Sequence, residues 1–216
     1  MDTKKRNILI VVVIILIAAL VFFVLNNSPK EDKLNQLINK DIDTSSISIE
    51  ALPFSDEQLS TINQINNSQE IIDFINSNIS IKPQIDILTK QPSEVLNTME
   101  GNKSDVATLI NELLNRKGLY SSTILYTYTN NGEEYIDLII PFRDVDEPRY
   151  IYFEGNGTNM MHHGWSYDEM FKAEEARASL SIESYCIMRH KVGYMEIAEC
   201  SSNDEVIRKH YFITED

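Results

Sequence analysis

The run Ile8 to Leu25, ILIVVVIILIAALVFFVL, constrains this chain more than any other feature of its sequence. Eighteen consecutive residues carry no charge, no Gly and no Pro. As an α-helix the run is about 27 Å long, close to the hydrocarbon thickness of a bilayer. A core helix of a soluble protein keeps a polar stripe, and this run has none. A cleaved signal peptide has a shorter apolar region, about 7–15 residues, followed by a small-x-small cleavage site. Here the run ends in Phe22-Phe23-Val24-Leu25 and passes straight into Asn26-Asn27-Ser28-Pro29. The expectation is an uncleaved transmembrane helix over 8–25. Lys4, Lys5 and Arg6 precede it, whereas Lys30 and Lys33 behind it are interleaved with Glu31 and Asp32. That bias puts residues 1–7 in the cytoplasm as a short tail and the rest outside, a single-pass signal-anchor protein of the cell membrane.

Beyond the span, residues 26–46 are polar and read as a stalk, and 47–216 as one exterior domain. Lys and Arg number 19 against 33 Asp and Glu, for a formal net charge of -14. Nucleic-acid affinity comes mostly from basic side chains displacing counterions, so DNA and RNA are excluded as partners. An acidic exterior surface stays soluble and is pushed away from anionic headgroups. Cys186 and Cys200 lie seven residues on either side of Gly193, inside two strand-like runs. A hairpin about Gly193 sets them opposite one another, and a slip of one or two residues parts them, leaving either a disulfide or two buried thiols. Sequons at Asn66, Asn78, Asn102 and Asn156 permit glycosylation but carry little weight in a chain rich in Asn and Ser.

Ile47 to Leu52 alternates as a first strand before Pro53. Ser55-Asp56-Glu57-Gln58 is a capping box that opens a helix to about Ile65. Ser68 starts a second short helix, Gln69 to about Asn76, with Ile71, Ile72 and Ile75 on one face. Pro92-Ser93-Glu94-Val95-Leu96 is a third, ended by a break at Gly101-Asn102-Lys103. Ser104 or Asp105 then caps a helix whose Val106, Leu109, Ile110, Leu113 and Leu114 form one apolar stripe, closed by Gly118 behind Arg116-Lys117. Strands follow: Leu119 to Thr129, a turn at Asn130-Asn131-Gly132, a return over Glu134 to Ile140 stopped by Pro141, and Arg149 to Glu154. A helix over Tyr167–Ala178 capped by Ser166, the Gly193 hairpin and a strand over Val206–Ile213 complete the pattern. Helices first and consecutive antiparallel strands afterwards predict an α+β fold with helices packed on an antiparallel sheet.

The run from Pro92 to about Thr158 resembles the transglutaminase-like family, whose fold is papain-like. Gly101, Asp105 and Ala107 match the family's Gly-x-Cys-x-Asp-x-Ala, which opens a helix with a Leu-rich stripe. The nucleophilic Cys does not match, because Lys103 stands there. The resemblance places the family's His at Tyr135, with no His anywhere between 119 and 161, and its orienting carboxylate near Glu154. A catalytic thiolate needs a helix N-terminus and a neighbouring imidazole to depress its pKa. With nucleophile and base both missing, the resemblance implies a pseudoenzyme: a non-catalytic domain that binds a peptide, a cell-envelope component or a partner protein. The groove would lie between the helix at 104–117 and the sheet, with Asn102, Lys103, Ser104 and Glu154 at the site.

The alternatives are a membrane-tethered hydrolase or acyltransferase with Lys103 or Ser104 as an unusual nucleophile, and a pilin-like surface subunit. Lys103 as a nucleophile needs burial as well as the helix dipole, and the cap role already accounts for Ser104. Met160-Met161-His162-His163 offers soft ligands, yet neighbours on an extended chain point to opposite sides, so it reads as a polar loop. Asp144, Asp146 and Glu147 lack the oxygen count and the Gly of a calcium loop. No metal and no cofactor is implied. Tyr120, Tyr126, Tyr128, Tyr135, Tyr150 and Tyr152 fall on strands, where aromatic rings pack across a sheet.

Overall fold

The computed structural model describes residues 51–201, apart from 87, 145 and 146. The membrane span over 8–25, the stalk, the strand over Val206–Ile213 and Asp146 lie outside the described residues, as does most of the strand expected at 47–52. Ala51 and Leu52 themselves are irregular. Among the described residues, no helix is long and apolar enough to cross a membrane.

Helix α1 (Asp56–Gln64) opens on Ser55 with both arms of the expected capping box made. Helix α2 (Ser68–Asn78) starts one residue early, because Asn67 and not Ser68 is the cap. The Asn67 Oδ1 accepts the Glu70 N–H at 2.9 Å, which frees the Ser68 hydroxyl to reach Asp144 at 3.0 Å. Ile71, Ile72 and Ile75 are buried on one face as their spacing requires. Two three-residue strands, β1 (Ser80–Lys82) and β2 (Glu100–Asn102), pair in parallel on either side of α3 (Pro92–Thr98). Strands that short show no period in sequence, and the chain at 100–102 reads there as a break.

Helix α4 (Lys103–Arg116) is capped by Asn102, and not by Ser104 or Asp105. The Asn102 Oδ1 accepts the Asp105 N–H at 2.8 Å while Asp105 Oδ2 accepts the Asn102 N–H at 2.9 Å, a reciprocal pair that fixes the helix start. Val106, Leu109, Ile110, Leu113 and Leu114 are all fully buried. Gly118 leaves the helix at φ +75°, the left-handed geometry that glycine supplies at least cost.

The remaining strands are β3 (Thr123–Asn130), β4 (Glu133–Asp144), β5 (Glu147–Glu154), β6 (Gly157–His162), β7 (Ile182–Lys191) and β8 (Tyr194–Cys200), with α5 (Tyr167–Ala178) between β6 and β7. They form one sheet in the order β6-β5-β4-β3-β7-β8, antiparallel throughout. The β3–β4 turn holds Asn131 and Gly132 at φ 53° and 81°, the two positive values a tight hairpin needs. Three expectations fail here. Strand β3 begins at Thr123, since Tyr120 lies off the sheet and is 87% exposed. Strand β4 runs through Pro141 to Asp144, because Pro141 still pairs with Tyr150 and its carbonyl accepts the Ser122 N–H at 3.2 Å. The Met160–His162 segment is not a loop but part of the edge strand β6.

Both faces of the sheet are covered, which is why β3, β4 and β5 carry unbroken apolar runs instead of alternation. Leu125, Leu138, Ile140, Ile151 and Met188 face the cluster built with α1 to α4. Ile124, Tyr126, Ile139 and Tyr150 face Met170 and Phe171 of α5. The β6 edge is blocked by one side chain. Asn76 Oδ1 accepts the Thr158 N–H at 2.8 Å and Asn76 Nδ2 donates to the Thr158 carbonyl at 2.8 Å, as a neighbouring strand would.

Cys186 and Cys200 are disulfide-bonded. The β7–β8 turn pairs Lys191 with Tyr194, so an unbroken ladder would set Cys186 opposite Glu199. A bulge at Ala198 shifts the register by one and brings Cys200 opposite Cys186.

Candidate functional site

The site residues expected at the start of α4 are committed to internal bonds. Lys103 Nζ lies 2.7 Å from Asp137 Oδ1 on β4, with the two side chains only 12% and 20% exposed. The ammonium also stands 5.9 Å from the Phe153 ring. The Ser104 hydroxyl, wholly buried, accepts the Asp86 N–H at 3.0 Å, and Asn102 Nδ2 donates to Asp86 Oδ2 at 2.7 Å. Tyr135 stacks on Tyr128 and donates to Glu133 at 2.8 Å, and Glu154 accepts from Asn159 at 3.1 Å. No hydrogen bond or ion pair joins any two of Lys103, Tyr135 and Glu154 among the described residues.

The matching residues Gly101, Asp105 and Ala107 have local work of their own. A Cβ on Gly101 would stand 2.8 Å from the Asp105 Cβ, so only glycine lets the strand approach the helix start this closely. Asp105 Oδ1 accepts the Lys90 N–H at 2.7 Å, and the Lys103 N–H donates to the Gln84 carbonyl at 2.9 Å. The knot therefore clamps the loop over residues 83–91 against α4. Ala107 is fully buried.

A cleft lies further along the same helix. It has a volume of about 980 Å3 and runs between the second half of α4, the β7–β8 hairpin and the segment Ala51–Phe54. Asn102, Lys103, Ser104 and Glu154 line none of it. Its floor is a polar network around His190, which sequence reasoning did not single out. Thr123 Oγ1 is 2.7 Å from His190 Nε2 and accepts from Asn111 Nδ2 at 3.0 Å. On the other side of the ring, His190 Nδ1 is 2.9 Å from Thr108 Oγ1, whose hydroxyl donates to the Ser104 carbonyl at 3.0 Å. Ser121 donates to Asn111 Oδ1 at 2.6 Å. One proton arrangement satisfies every member: Thr123 donates to Nε2, and Nδ1–H donates to Thr108.

The imidazole is thus neutral, and burial pushes its pKa down to about 4. Thr123, the hydroxyl closest to a ring nitrogen, is fully buried, so it has no access to a substrate. The period-2 signal for His190 was present: it falls in step with the inward-facing Cys186 and Met188. Its polar partners on α4 and β3 come from 67 to 82 residues away, a separation no local pattern reveals.

On the other face of the sheet, Glu174 is wholly buried and accepts from Arg177 at 2.6 Å and 2.8 Å and from the Tyr126 hydroxyl at 2.9 Å. Burial first, with the Asp137 and Glu174 charges behind it, drives the Tyr126 phenol far above its ordinary value. This group anchors α5. His162 pairs with Glu147 at 2.8 Å and His163 packs against Tyr150 at 5.9 Å between centroids, so the two do not converge. Among the described residues, no group of three or more His, Cys, Asp or Glu is arranged to hold a metal. No protein-family model and no curated protein matches the chain.

Proposed function

We propose that this chain is a membrane-anchored, extracytoplasmic binding protein, a degenerate transglutaminase-like domain that takes a peptide, a cell-envelope component or a partner protein without catalysing a reaction on it. The observation that carries the reading is the fate of Lys103. The Lys103 side chain is ion-paired at 2.7 Å to Asp137, and among the described residues no imidazole is bonded to it. Ser104, the other candidate nucleophile, is buried with its oxygen already accepting a hydrogen bond. The binding surface is the cleft on the seam between α4 and the sheet, the seam expected from sequence but at its other end. The apolar span over 8–25 supports the anchor. The Cys186–Cys200 bridge supports an oxidising compartment.

The test is direct. The full chain in detergent is incubated with a glutamine-containing peptide and a fluorescent primary amine, beside Lys103→Ala. Neither is expected to show transamidation or hydrolysis above the enzyme-free rate. Turnover lost in Lys103→Ala overturns the reading. Protease added to intact cells is expected to remove the domain while sparing residues 1–25, and protection of the domain overturns the topology.

A further inference from the structure

We infer that Asn131 is a site of non-enzymatic modification, losing its side-chain amide to become aspartate or isoaspartate, and that the fold selects it over the second Asn-Gly pair, Asn156-Gly157. The inference is independent of the binding reading above.

Both pairs sit at two-residue hairpin turns, but one position apart. Asn130 pairs with Glu133, so Asn131 and Gly132 are the two turn residues. The Gly132 N–H makes no hydrogen bond among the described residues, and a Cβ there would meet nothing within 4 Å. The Asn131 side chain is exposed and equally unbonded. In the other turn Glu154 pairs with Gly157, so the turn is Gly155-Asn156 and Gly157 already belongs to the ladder. The N–H that closes such a turn donates to the carbonyl of its partner.

The reaction needs that nitrogen. Gly132 N gives its proton to hydroxide and bonds to Asn131 Cγ. The Cγ–Nδ2 bond breaks, and Nδ2 takes a proton from water and leaves as ammonia. Water then opens the five-membered imide at one of its two carbonyls. One cleavage gives aspartate; the other gives isoaspartate, whose main chain runs through Cβ and Cγ. Water is the only co-reactant, and nothing is oxidised or reduced. Glycine favours the attack because it has no side chain to crowd the ring.

Ring closure also requires rotation about the Asn131 Cα–C bond, hence a turn that opens. Strand β3 bonds to β7 only as far as Tyr128, and β4 meets β5 only from Ile139. Residues 129–134 are therefore a two-stranded ribbon with no third strand on either side, and all six are exposed. A ribbon of that kind is marginal in water and opens locally without the rest of the fold. The β5–β6 turn also projects past its neighbour, yet it is pinned. Phe153 and Thr158 are buried, and Asn76 holds both backbone groups of Thr158 at 2.8 Å. Either product at 131 adds a carboxylate beside Glu133 and Glu134, and isoaspartate adds a backbone carbon to a two-residue turn.

The experiment incubates the full chain in detergent at pH 8.5 over several days, beside the same chain unfolded in urea. Peptide mapping by mass spectrometry reads the gain of about 1 Da at each site. Methyl transfer by an isoaspartyl methyltransferase reads the isoaspartate. In the folded chain, Asn131 is expected to react at least about tenfold faster than Asn156. In urea the rates at the two sites are expected to fall within threefold of each other. Equal rates in the folded chain, or faster loss at Asn156, overturn the inference. So does a folded chain that forms no isoaspartate at 131 while the unfolded chain does. A tenfold preference that persists in urea belongs to the local sequence and overturns the selection by the fold.

Discussion

His190 makes acid stability the sharpest test of the cleft. Its ring is enclosed by Thr108 and Asn111 from α4 and Thr123 from β3, none of them charged, and Asn111 Nδ2 stands 3.1 Å from Nε2. A proton on Nε2 would face that amide and turn the Thr123 hydroxyl away. The folded-state pKa is lowered from 6.5 to about 4, so between those values the unfolded chain binds the extra proton. Stability therefore rises with pH through this window and is lost as pH falls. The loss from this one group is about 2 kcal/mol at pH 5 and about 3 kcal/mol at pH 4. Urea unfolding of the full chain and of His190→Gln at pH 7, 6, 5 and 4 isolates it, since the carboxylates titrate equally in both. The variant is expected to be less stable at pH 7, where it has lost part of the network, and to close the gap by about 3 kcal/mol at pH 4. Parallel curves from pH 7 to pH 4 would refute the reasoning.

Lys103→Met strips Asp137 of its counterion and leaves the Leu138 N–H as its remaining donor; the loss is about 2 kcal/mol by urea melt, partly recovered by adding Asp137→Asn. A loss of a few tenths would place the pair among ordinary surface ion pairs. Gly101→Ala drives a methyl into Asp105 and is expected to cost about 1–3 kcal/mol, with faster hydrogen exchange at the Lys90 and Asn102 amides as its local signature. Reduction of Cys186–Cys200, which closes a 14-residue separation, is expected to lower stability by about 3 kcal/mol, read as a melting shift with and without reductant.

What the sequence discloses about this fold divides by range. Ser55 and Ser166 sit in capping boxes three residues long, and both helices begin where those boxes say. Asn131-Gly132 dictates its turn through two left-handed residues, and the hairpin follows. Errors begin where a second acceptor competes for the helix N–H groups. At Asn67-Ser68 and at Asn102–Asp105 several side chains have capping chemistry, and the winner is decided by partners 16 to 76 residues away, Asp144 and Asp86. The disulfide shows the same limit at finer grain. Spacing from Gly193 permits the pairing, but a two-residue turn misses it by one, and only the unpaired Ala198 corrects the register. The cleft was out of reach for the same reason: α4, α3, the hairpin and residues 51–54 meet only in the tertiary fold.

The two ends of α4 differ in what they have left to offer. At its start, both Asp105 oxygens, the Asn102 side chain, the Ser104 hydroxyl and the Lys103 ammonium are each engaged within the fold. A ligand there must break an internal bond for each one it makes, and in a partly buried site the broken bond costs at least what the new one returns. At the other end, Asn115 is exposed with its amide making no hydrogen bond among the described residues. The motif that draws the eye in the sequence is spent on holding the loop over residues 83–91, and the unspent capacity lies three turns further on.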